Sequence, residues 1–166
     1  MRHLGLTLTA VVLAATLCGC SKSATAPPAA DQSASTVGPP APMSDADKAK
    51  ALAALPAPYN TADLANGESK FALCSTCHTT AQGGPNMTGP NLHGVFGRKA
   101  ASVADFKYSD ALKATGWTWD PAHVDTWITD PKVALPDTKM TFVGLKDPKD
   151  RTDVIAYLMV LTGYKP

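Results

Sequence analysis

Apolar residues recur at helical spacing in four segments of the region Asn60–Pro166, and none of its runs shows a convincing strand pattern. The first segment begins near residues 60–61 and carries Leu64, Gly67 and Phe71 on one face. The second is short, begins at Ser109 and ends at residue 116. This region is therefore predicted to be all-α.

The other two helices are marked by the residues at their ends. Each begins with an aspartate as N-cap and a proline in the first turn, a combination typical of helix starts. The third helix begins at Asp120 and stops before Pro131, and the last begins at Asp147 and ends at Gly163. Three main helices with shorter ones suit a single small domain whose apolar core is meagre for its loops.

An almost wholly apolar run, Leu4–Leu17, follows the basic start of the chain. The run is shorter than the roughly 20 apolar residues that span a bilayer, so residues 1–19 are predicted to be a signal peptide. Residues 17–20 resemble the bacterial lipobox, in which Cys20 would be lipidated and become the mature N-terminus. Cys18 inside the box is unusual, and ordinary cleavage to a soluble periplasmic protein is the alternative.

The segment Ser21–Pro58 is rich in Ala, Pro, Ser and Thr and has no aromatic residue. Such a composition buries too little apolar surface to fold, so residues 20–59 are predicted to be a lipid anchor with a disordered tether. Within the tether, Ser44–Leu55 could form a short helix that Ser44 caps and Pro56 ends, although such a helix is marginal in isolation. The folded domain is predicted to comprise residues 60–166.

The most informative motif is C-x-x-C-H at residues 74–78. Cys74 and Cys77 can each add to a vinyl group of haem, and His78 can then ligate the iron. A zinc site would need a second pair of ligands, but the other cysteines lie in the predicted leader and anchor. A thioredoxin-like redox pair would need a preceding strand and a βαβ context. The motif therefore predicts one covalent haem c.

Further motifs follow the haem motif at characteristic distances, and their order and spacing resemble class I cytochrome c of the mitochondrial and periplasmic type. These motifs are G-P-N-L-H-G-V-F-G-R at residues 89–98, Tyr108, Trp119, P-D-T-K-M-T-F-V-G at residues 136–144, and A-Y-L at residues 156–158. The resemblance covers nearly all of residues 60–166 and implies the small all-α cytochrome c fold around one haem.

The resemblance also implies a role for each matching residue. His78 would be the proximal ligand, oriented by the Pro90 carbonyl, and Met140 would be the distal ligand. Gly67 and Tyr157 would lie where the first and last helices cross. The remaining residues would support the haem pocket, the first three of them near the propionates: Arg98, Tyr108, Trp119, Trp127 and Thr138.

The positions of the methionines in the sequence also favour Met140 as the distal ligand. Met140 lies in a loop between Pro136 and Gly144 that could wrap over the haem, whereas Met87 follows His78 too closely to reach the other haem face. Met43 falls in the predicted tether, and Met159 has the position of a core residue in the last helix. His93 and His123 remain the alternative ligands.

Two residues depart from the family pattern. Trp127 stands where a tyrosine commonly donates a hydrogen bond to the methionine sulfur, and Leu112 stands where an asparagine commonly holds a buried water. Both changes predict a less polar distal pocket, in which burial raises the reduction potential and a lost bond to sulfur lowers it.

Charge indicates how partners are found. The chain has a net charge of +1, and the basic and acidic side chains of residues 60–166 balance. Lysines at 132, 139, 146 and 149 are expected near the haem edge, but five positions where mitochondrial relatives have lysine differ here: Leu73, Pro85, Met87, Val133 and Asp147. Long-range steering should be weak, and no basic stripe supports nucleic-acid binding.

These features predict a single-electron carrier rather than an enzyme, because His/Met ligation leaves no open position on the iron. We expect a monomer in the bacterial periplasm, tethered to a membrane through Cys20. Its donor would be a quinol-oxidising complex or a dehydrogenase, and its acceptor an oxidase, a reductase or a photosynthetic reaction centre. The alternatives are a haem enzyme or ligand sensor of the weak peroxidase type, and a fixed subunit of a larger oxidoreductase.

Overall fold

The computed structural model describes residues 43–165, so the predicted signal peptide, Cys20 and residues 20–42 of the predicted tether lie outside the described part. Six α-helices and one short 3-10 turn, Tyr59–Thr61, make up its regular structure. The helices are α1 Asp45–Ala53, α2 Leu64–Ser75, α3 Asp110–Ala114, α4 Pro121–Thr129, α5 Pro131–Ala134 and α6 Pro148–Thr162.

Helices α3, α4 and α6 begin at the capping residues from which their starts were predicted. Ser109, Asp120 and Asp147 each accept a hydrogen bond from a backbone N–H in the first turn of α3, α4 and α6. Gly163 ends α6 in the left-handed conformation, with φ of 66°. Helix α2 begins slightly later than predicted, because Asp63 is its N-cap and residues 59–61 form the 3-10 turn.

The described residues contain no strand, which agrees with the all-α prediction. Their only β-type pairing is an isolated antiparallel bridge between Lys99 and Thr118. Within residues 43–165, each helix is too short or too polar to cross a membrane. The short helix α5 was not predicted, and it forms because Asp130 caps it directly after the end of α4.

The crossing of α2 and α6 organises the core. Gly67 lies against α6, and a Cβ at this position would overlap the carbonyl oxygen of Asp153. This close approach brings the rings of Phe71 and Tyr157 to a centroid separation of 5.6 Å. The Asp153 carboxylate, which is 2% exposed, accepts hydrogen bonds from the Asp63 backbone N–H at 2.9 Å and from the Asn66 side chain at 2.7 Å. The start of α2 is thereby joined to α6.

The predicted boundary between tether and domain is wrong, because residues 43–59 are folded. Helix α1 forms at the predicted place, with Ser44 as its N-cap, and it contacts α6 and the 3-10 turn. Leu55 is buried in the core, and Met43 and Leu52 pack against it. Residues Asp153 to Val160 of α6 are buried without interruption, so α6 offers apolar surface on every side. Burial against α6 stabilises a helix that would be marginal in isolation.

Replacement of Leu55 by alanine tests this boundary. Because Leu55 is only 6% exposed, we expect Leu55→Ala to lower the free energy of unfolding of the haem-loaded protein by about 2–3 kcal/mol. The measurement is the urea midpoint followed by circular dichroism. Val133→Ala is the matched control, because Val133 is 78% exposed and should change the midpoint little. Equal midpoints for the two variants would show that residues 43–59 do not belong to the cooperative unit.

Candidate functional site

One cavity of about 360 Å³ lies between the end of α2, the loop that follows it, α4, α6 and the loop after α5. Its walls are mainly apolar, and eight of the residues that line it belong to the buried core. Both cysteines of the C-x-x-C-H motif, His78 and Met140 line it. The cavity therefore brings Met140 together with Cys74, which lies 66 positions earlier in the sequence. Its volume is in the range of cofactor sites.

His78 is held in a fixed orientation just after the end of α2. Its Nδ1 lies 2.7 Å from the carbonyl oxygen of Pro90, so Nδ1–H donates and the Nε2 lone pair is left available for a metal. Gly89 packs against the imidazole so closely that a Cβ there would overlap the ring. Burial lowers the pKa of His78, and the bond to Pro90 partly opposes this shift. The neutral, metal-ligating form is therefore favoured.

Cys74 lies in the last turn of α2, and Cys77 follows just after the helix ends. The backbone N–H groups of Cys77 and His78 both donate to the Cys74 carbonyl at 3.0 Å. Both thiols are free and half-buried. Burial, followed by the neighbouring Cys77, raises the pKa of Cys74 to about 11. Such a thiol stays protonated at neutral pH, unlike the thiolates of zinc sites and reactive redox pairs. Among the described residues, no cluster of three or more His, Cys, Asp or Glu side chains could hold a metal ion.

Met140 lies in the loop between α5 and α6, and two neighbours position it. Its backbone N–H donates to the Thr138 hydroxyl at 3.2 Å, and Thr138 is buried. Lys132 Nζ donates to the Thr138 carbonyl at 2.6 Å, which closes the loop onto α5. The indole Nε1–H of Trp127 donates to the Met140 sulfur at 3.0 Å. A thioether sulfur has a second lone pair, so this bond is compatible with metal ligation.

The sulfur–indole bond corrects the sequence prediction for the distal pocket. Leu112 is buried and apolar as predicted, but the hydrogen bond to sulfur is not lost when tryptophan replaces tyrosine. Trp127 reaches the sulfur because α4 presents it on the inner face, and its indole nitrogen can only donate. The replacement therefore preserves the donor to sulfur.

Arg98, Tyr108 and Trp119 also line the cavity. The Arg98 guanidinium donates to the carbonyl oxygens of Asn91 and His93, both at 2.9 Å, which leaves its positive charge without compensation from these contacts. In the described part of the chain, no carboxylate forms an ion pair with Arg98, and burial lowers its pKa. A half-buried cation of this kind favours an anionic group in the cavity.

The other candidate ligands lie elsewhere. Met87 is 48% exposed, Met159 is fully buried in α6, and neither lines the cavity. His93 and His123 are also absent from its walls, and the His123 side chain is 42% exposed. Of the methionines and histidines in residues 43–165, the cavity thus contains only His78 and Met140.

Some residues of the site were not predicted from the sequence. Gly89 belongs to the motif at residues 89–98, but no role was predicted for it. Its close contact with the His78 imidazole requires a glycine. Phe106 lines the cavity from a loop without periodic patterning, and Phe142, which belongs to the motif at residues 136–144, lines it without having been assigned a role. Aromatic residues in such loops were the available signal, but no spacing rule connects them to a distant cavity.

Comparison with known proteins supplies the deciding observation: residues 64–162 match the family model described as Cytochrome c. The chain belongs to the cytochrome c family. A cytochrome c2 of Rhodoplanes tepidamans is 46% identical over 96 residues, which cover 58% of this chain and 90% of that protein. A cytochrome c2 of Rhodomicrobium vannielii is 45% identical over 105 residues, covering 63% and 84%. A cytochrome c of Kluyveromyces lactis is 41% identical over 106 residues, covering 63% and 96%.

Membership in the cytochrome c family confirms three predictions: the small all-α cytochrome c fold, one covalent haem c, and electron transfer rather than enzymatic catalysis. The cavity fits this cofactor. Its walls are mainly apolar, Arg98 faces it without an ion-pair partner among residues 43–165, and the His78 imidazole and the Met140 thioether both line it. The family match begins at residue 64, so α1 and the 3-10 turn precede the matched region.

Replacement of Trp127 by phenylalanine tests the bond to sulfur. The phenyl ring keeps most of the packing but removes the N–H donor, which contributes about 1 kcal/mol to holding Met140 in place. We therefore expect cyanide to bind the ferric protein about fivefold more tightly. Trp117→Phe is the control, because Trp117 packs against Trp127 without contacting the sulfur. An equal change in both variants would assign the effect to packing.

Proposed function

We propose that Cys74 and Cys77 attach the haem through two thioether bonds and that His78 and Met140 are its axial ligands. The observation that carries this proposal is the single cavity lined by all four residues. The bond from His78 Nδ1 to Pro90 leaves Nε2 for the iron. The bond from Trp127 restricts Met140 to one orientation. Gly89 supports the assignment of His78, because only a hydrogen at this Cα leaves room for the imidazole.

The proposed ligand set explains how the protein carries single electrons. When bound, the haem supplies one-electron redox chemistry at its iron. The soft Met140 thioether stabilises the reduced state relative to a second nitrogen ligand. With His78 and Met140 both bound to the iron, no ligand position would be left for a substrate. The apolar walls exclude water, and Arg98, Tyr108 and Trp119 are suited to the propionates, whose negative charges Arg98 would balance.

Substitution of Met140 tests the distal ligand. The ferric wild-type protein should show the weak red absorption band that marks iron–sulfur ligation, and Met140→Ala should abolish it and open the iron to carbon monoxide in the ferrous state. Both proteins should retain haem through acid–acetone extraction, because Cys74 and Cys77 are intact. Met87→Ala is the matched control, since Met87 is exposed and outside the cavity. A band that persists in Met140→Ala would assign ligation to another residue.

We further propose that redox partners recognise the surface around the cavity mainly through apolar contacts. Of the four lysines expected there, Lys146 pairs with Asp130 at 2.8 Å and Lys149 pairs with Asp153. Lys139, which lines the cavity, donates to two backbone carbonyls at 3.0 and 3.1 Å. Several exposed side chains in neighbouring segments are apolar: Leu73, Met87, Val133 and Val143. Long-range attraction between partners should accordingly be weak.

Confinement near a membrane would compensate for weak steering. We propose that the chain is exported to the bacterial periplasm, that Cys20 is lipidated, and that the following residues tether a monomeric domain to the membrane. The apolar run at residues 4–17 and the lipobox-like residues 17–20 support this assignment. Because the folded part begins by Met43, a linker of residues 21–42 would reach about 26 Å as a random coil and about 70 Å in polyproline II. Such confinement raises the effective concentration at membrane partners.

The proposed location beside the periplasmic membrane indicates which redox partners the protein would meet. A quinol-oxidising complex or a periplasmic dehydrogenase would donate electrons, and an oxidase, a reductase or a photosynthetic reaction centre would accept them. The +1 net charge of the chain gives no support to a nucleic-acid partner.

Substitution of Cys20 tests the anchor. Cys20→Ala should release a soluble cytochrome with unchanged haem spectrum, while electron flow to the membrane acceptor falls because the confinement is lost. Metabolic labelling with a palmitate analogue and membrane fractionation are the measurements. Cys18→Ala is the matched control, because it alters the neighbouring cysteine and leaves Cys20 in place. Absence of label in the wild type, with the protein in the soluble fraction, would refute the anchor without affecting the haem assignment.

A further inference from the structure

Three tryptophans and one histidine form an aromatic cluster beside the cavity, which we call the tryptophan cluster (Trp117, Trp119, His123 and Trp127). The ring centroids of Trp119 and Trp127 are 5.4 Å apart, those of Trp117 and Trp127 6.3 Å, and those of Trp117 and Trp119 6.1 Å. The His123 ring lies 5.6 Å from Trp117. Rings at these separations are in direct contact.

Two segments of backbone hold the tryptophan cluster together. The N–H of Gly97 donates to the Trp119 carbonyl at 2.7 Å, and the N–H of Ala100 donates to the Trp117 carbonyl at 2.8 Å. Residues two apart in such an extended segment lie on the same side, which brings both indoles to α4. His123 and Trp127 are four residues apart on α4 and share one helix face.

The tryptophan cluster extends from the surface to the proposed axial ligand. At its outer end, the His123 side chain is 42% exposed, and neither His123 nor Trp117 lines the cavity. At its inner end, Trp127 is 9% exposed and donates its indole N–H to the Met140 sulfur at 3.0 Å. Every step between these ends is a ring contact or a hydrogen bond.

We propose that the tryptophan cluster is a second electron-transfer route, which couples the surface beside His123 to the haem iron through Trp117, Trp127 and Met140. The proposal rests on the proposed ligation of the iron by Met140. Electronic coupling falls steeply across gaps between atoms that are not in contact, so a continuous series of ring contacts ending at an axial ligand favours transfer. One electron would pass between the cofactor of a redox protein bound beside His123 and the haem iron, so that one centre is oxidised by one unit as the other is reduced, and no proton or covalent bond is exchanged.

The surface at the outer end of the route differs from the surface around the cavity. Several exposed residues near His123 are small and neutral, namely Thr118, Ala122 and Thr126. The charged groups nearby are Asp120, which lies 3.0 Å from the His123 ring, Asp125, which pairs with Arg151 at 2.8 Å, and the exposed Lys99, whose backbone pairs with Thr118. Because these charges nearly balance, this surface fits a redox protein whose contact face carries little net charge around its own cofactor. The cytochrome would then have separate contacts for two partners.

A ruthenium–bipyridine photosensitiser coordinated to His123 tests the route. The chain has four histidines, so the haem-loaded protein carries His3→Gln and His93→Gln to leave His123 as the labelling site. After a flash, haem absorbance gives the rate of electron transfer between label and iron. We expect Trp117→Leu to lower this rate several-fold, because it removes the ring that joins His123 to Trp127. Trp127→Phe should also lower it, after correction for its measured potential, because it removes the bond to sulfur.

The control places the same label on His93 in a background with His3→Gln and His123→Gln. Trp117→Leu should leave the rate from His93 unchanged, whereas a fall of equal size from both labels would overturn the proposal, because the substitution would then act on the whole haem site. An unchanged rate from His123 in Trp117→Leu would overturn it as well. Haem retention and the iron–sulfur band, recorded on the same samples, report separately on attachment and on Met140 ligation.

Discussion

Core residues of this cytochrome pack around the cavity and line it. The rest of the structure depends on this packing around a space that the cofactor must fill. Phe71 from α2, Val124 and Trp127 from α4, and Val154 and Leu158 from α6 are all core residues, and all of them line the cavity. The apolar faces of three helices therefore meet at the cofactor as well as at each other. With covalent haem c in the cavity, these helix faces gain apolar packing contacts. The protein alone provides too few of them, because much of the chain is loop.

A second consequence of this arrangement appears at α6. Because α6 contacts the cavity, α2 and α4, its sequence is apolar on nearly every side, and residues on its remaining surface, such as Ile155 and Met159, are also fully buried. Helix α1 contacts α6 and lies before the part of the chain that matches the family. Helix α1 itself contains no buried residue. Its segment therefore stabilises the fold mainly through burial of Leu55, which lies just after the helix. An alanine-rich segment that is weak alone thereby becomes part of the domain.

The distal pocket shows how one substitution preserves a function by different chemistry. An indole N–H, unlike a hydroxyl, donates without accepting, so Trp127 needs no further donor in the apolar surroundings that Leu112 provides. With Met140 as the proposed iron ligand, a donor to its sulfur would withdraw electron density from the thioether and so favour the reduced iron. Burial of the site disfavours the extra charge of the oxidised iron. Both effects raise the reduction potential relative to a wetter pocket without the donor.

Local chemistry explains which features the sequence determined by itself. Ser44, Ser109, Asp120 and Asp147 mark helix starts because a cap bonds to a backbone group within three residues, so the signal and its effect lie side by side. The C-x-x-C-H motif is equally local, since its two thiols and its imidazole share one turn at the end of α2. Together with the spacing of the later motifs, these signals predicted the all-α fold, the haem and its candidate ligands.

The tertiary structure decided what depends on residues far apart in the chain. Residues 43–59 looked like a continuation of the tether because their composition is similar, and only the uncovered side of α6, about a hundred residues later, makes them fold. The bond from Trp127 to Met140, the bonds from Asp63 and Asn66 to the buried Asp153, and the packing of Trp117 and Trp119 against Trp127 depend in the same way on the mutual position of helices and loops. Composition and periodicity carry no information about such distances, because they describe each segment without its neighbours.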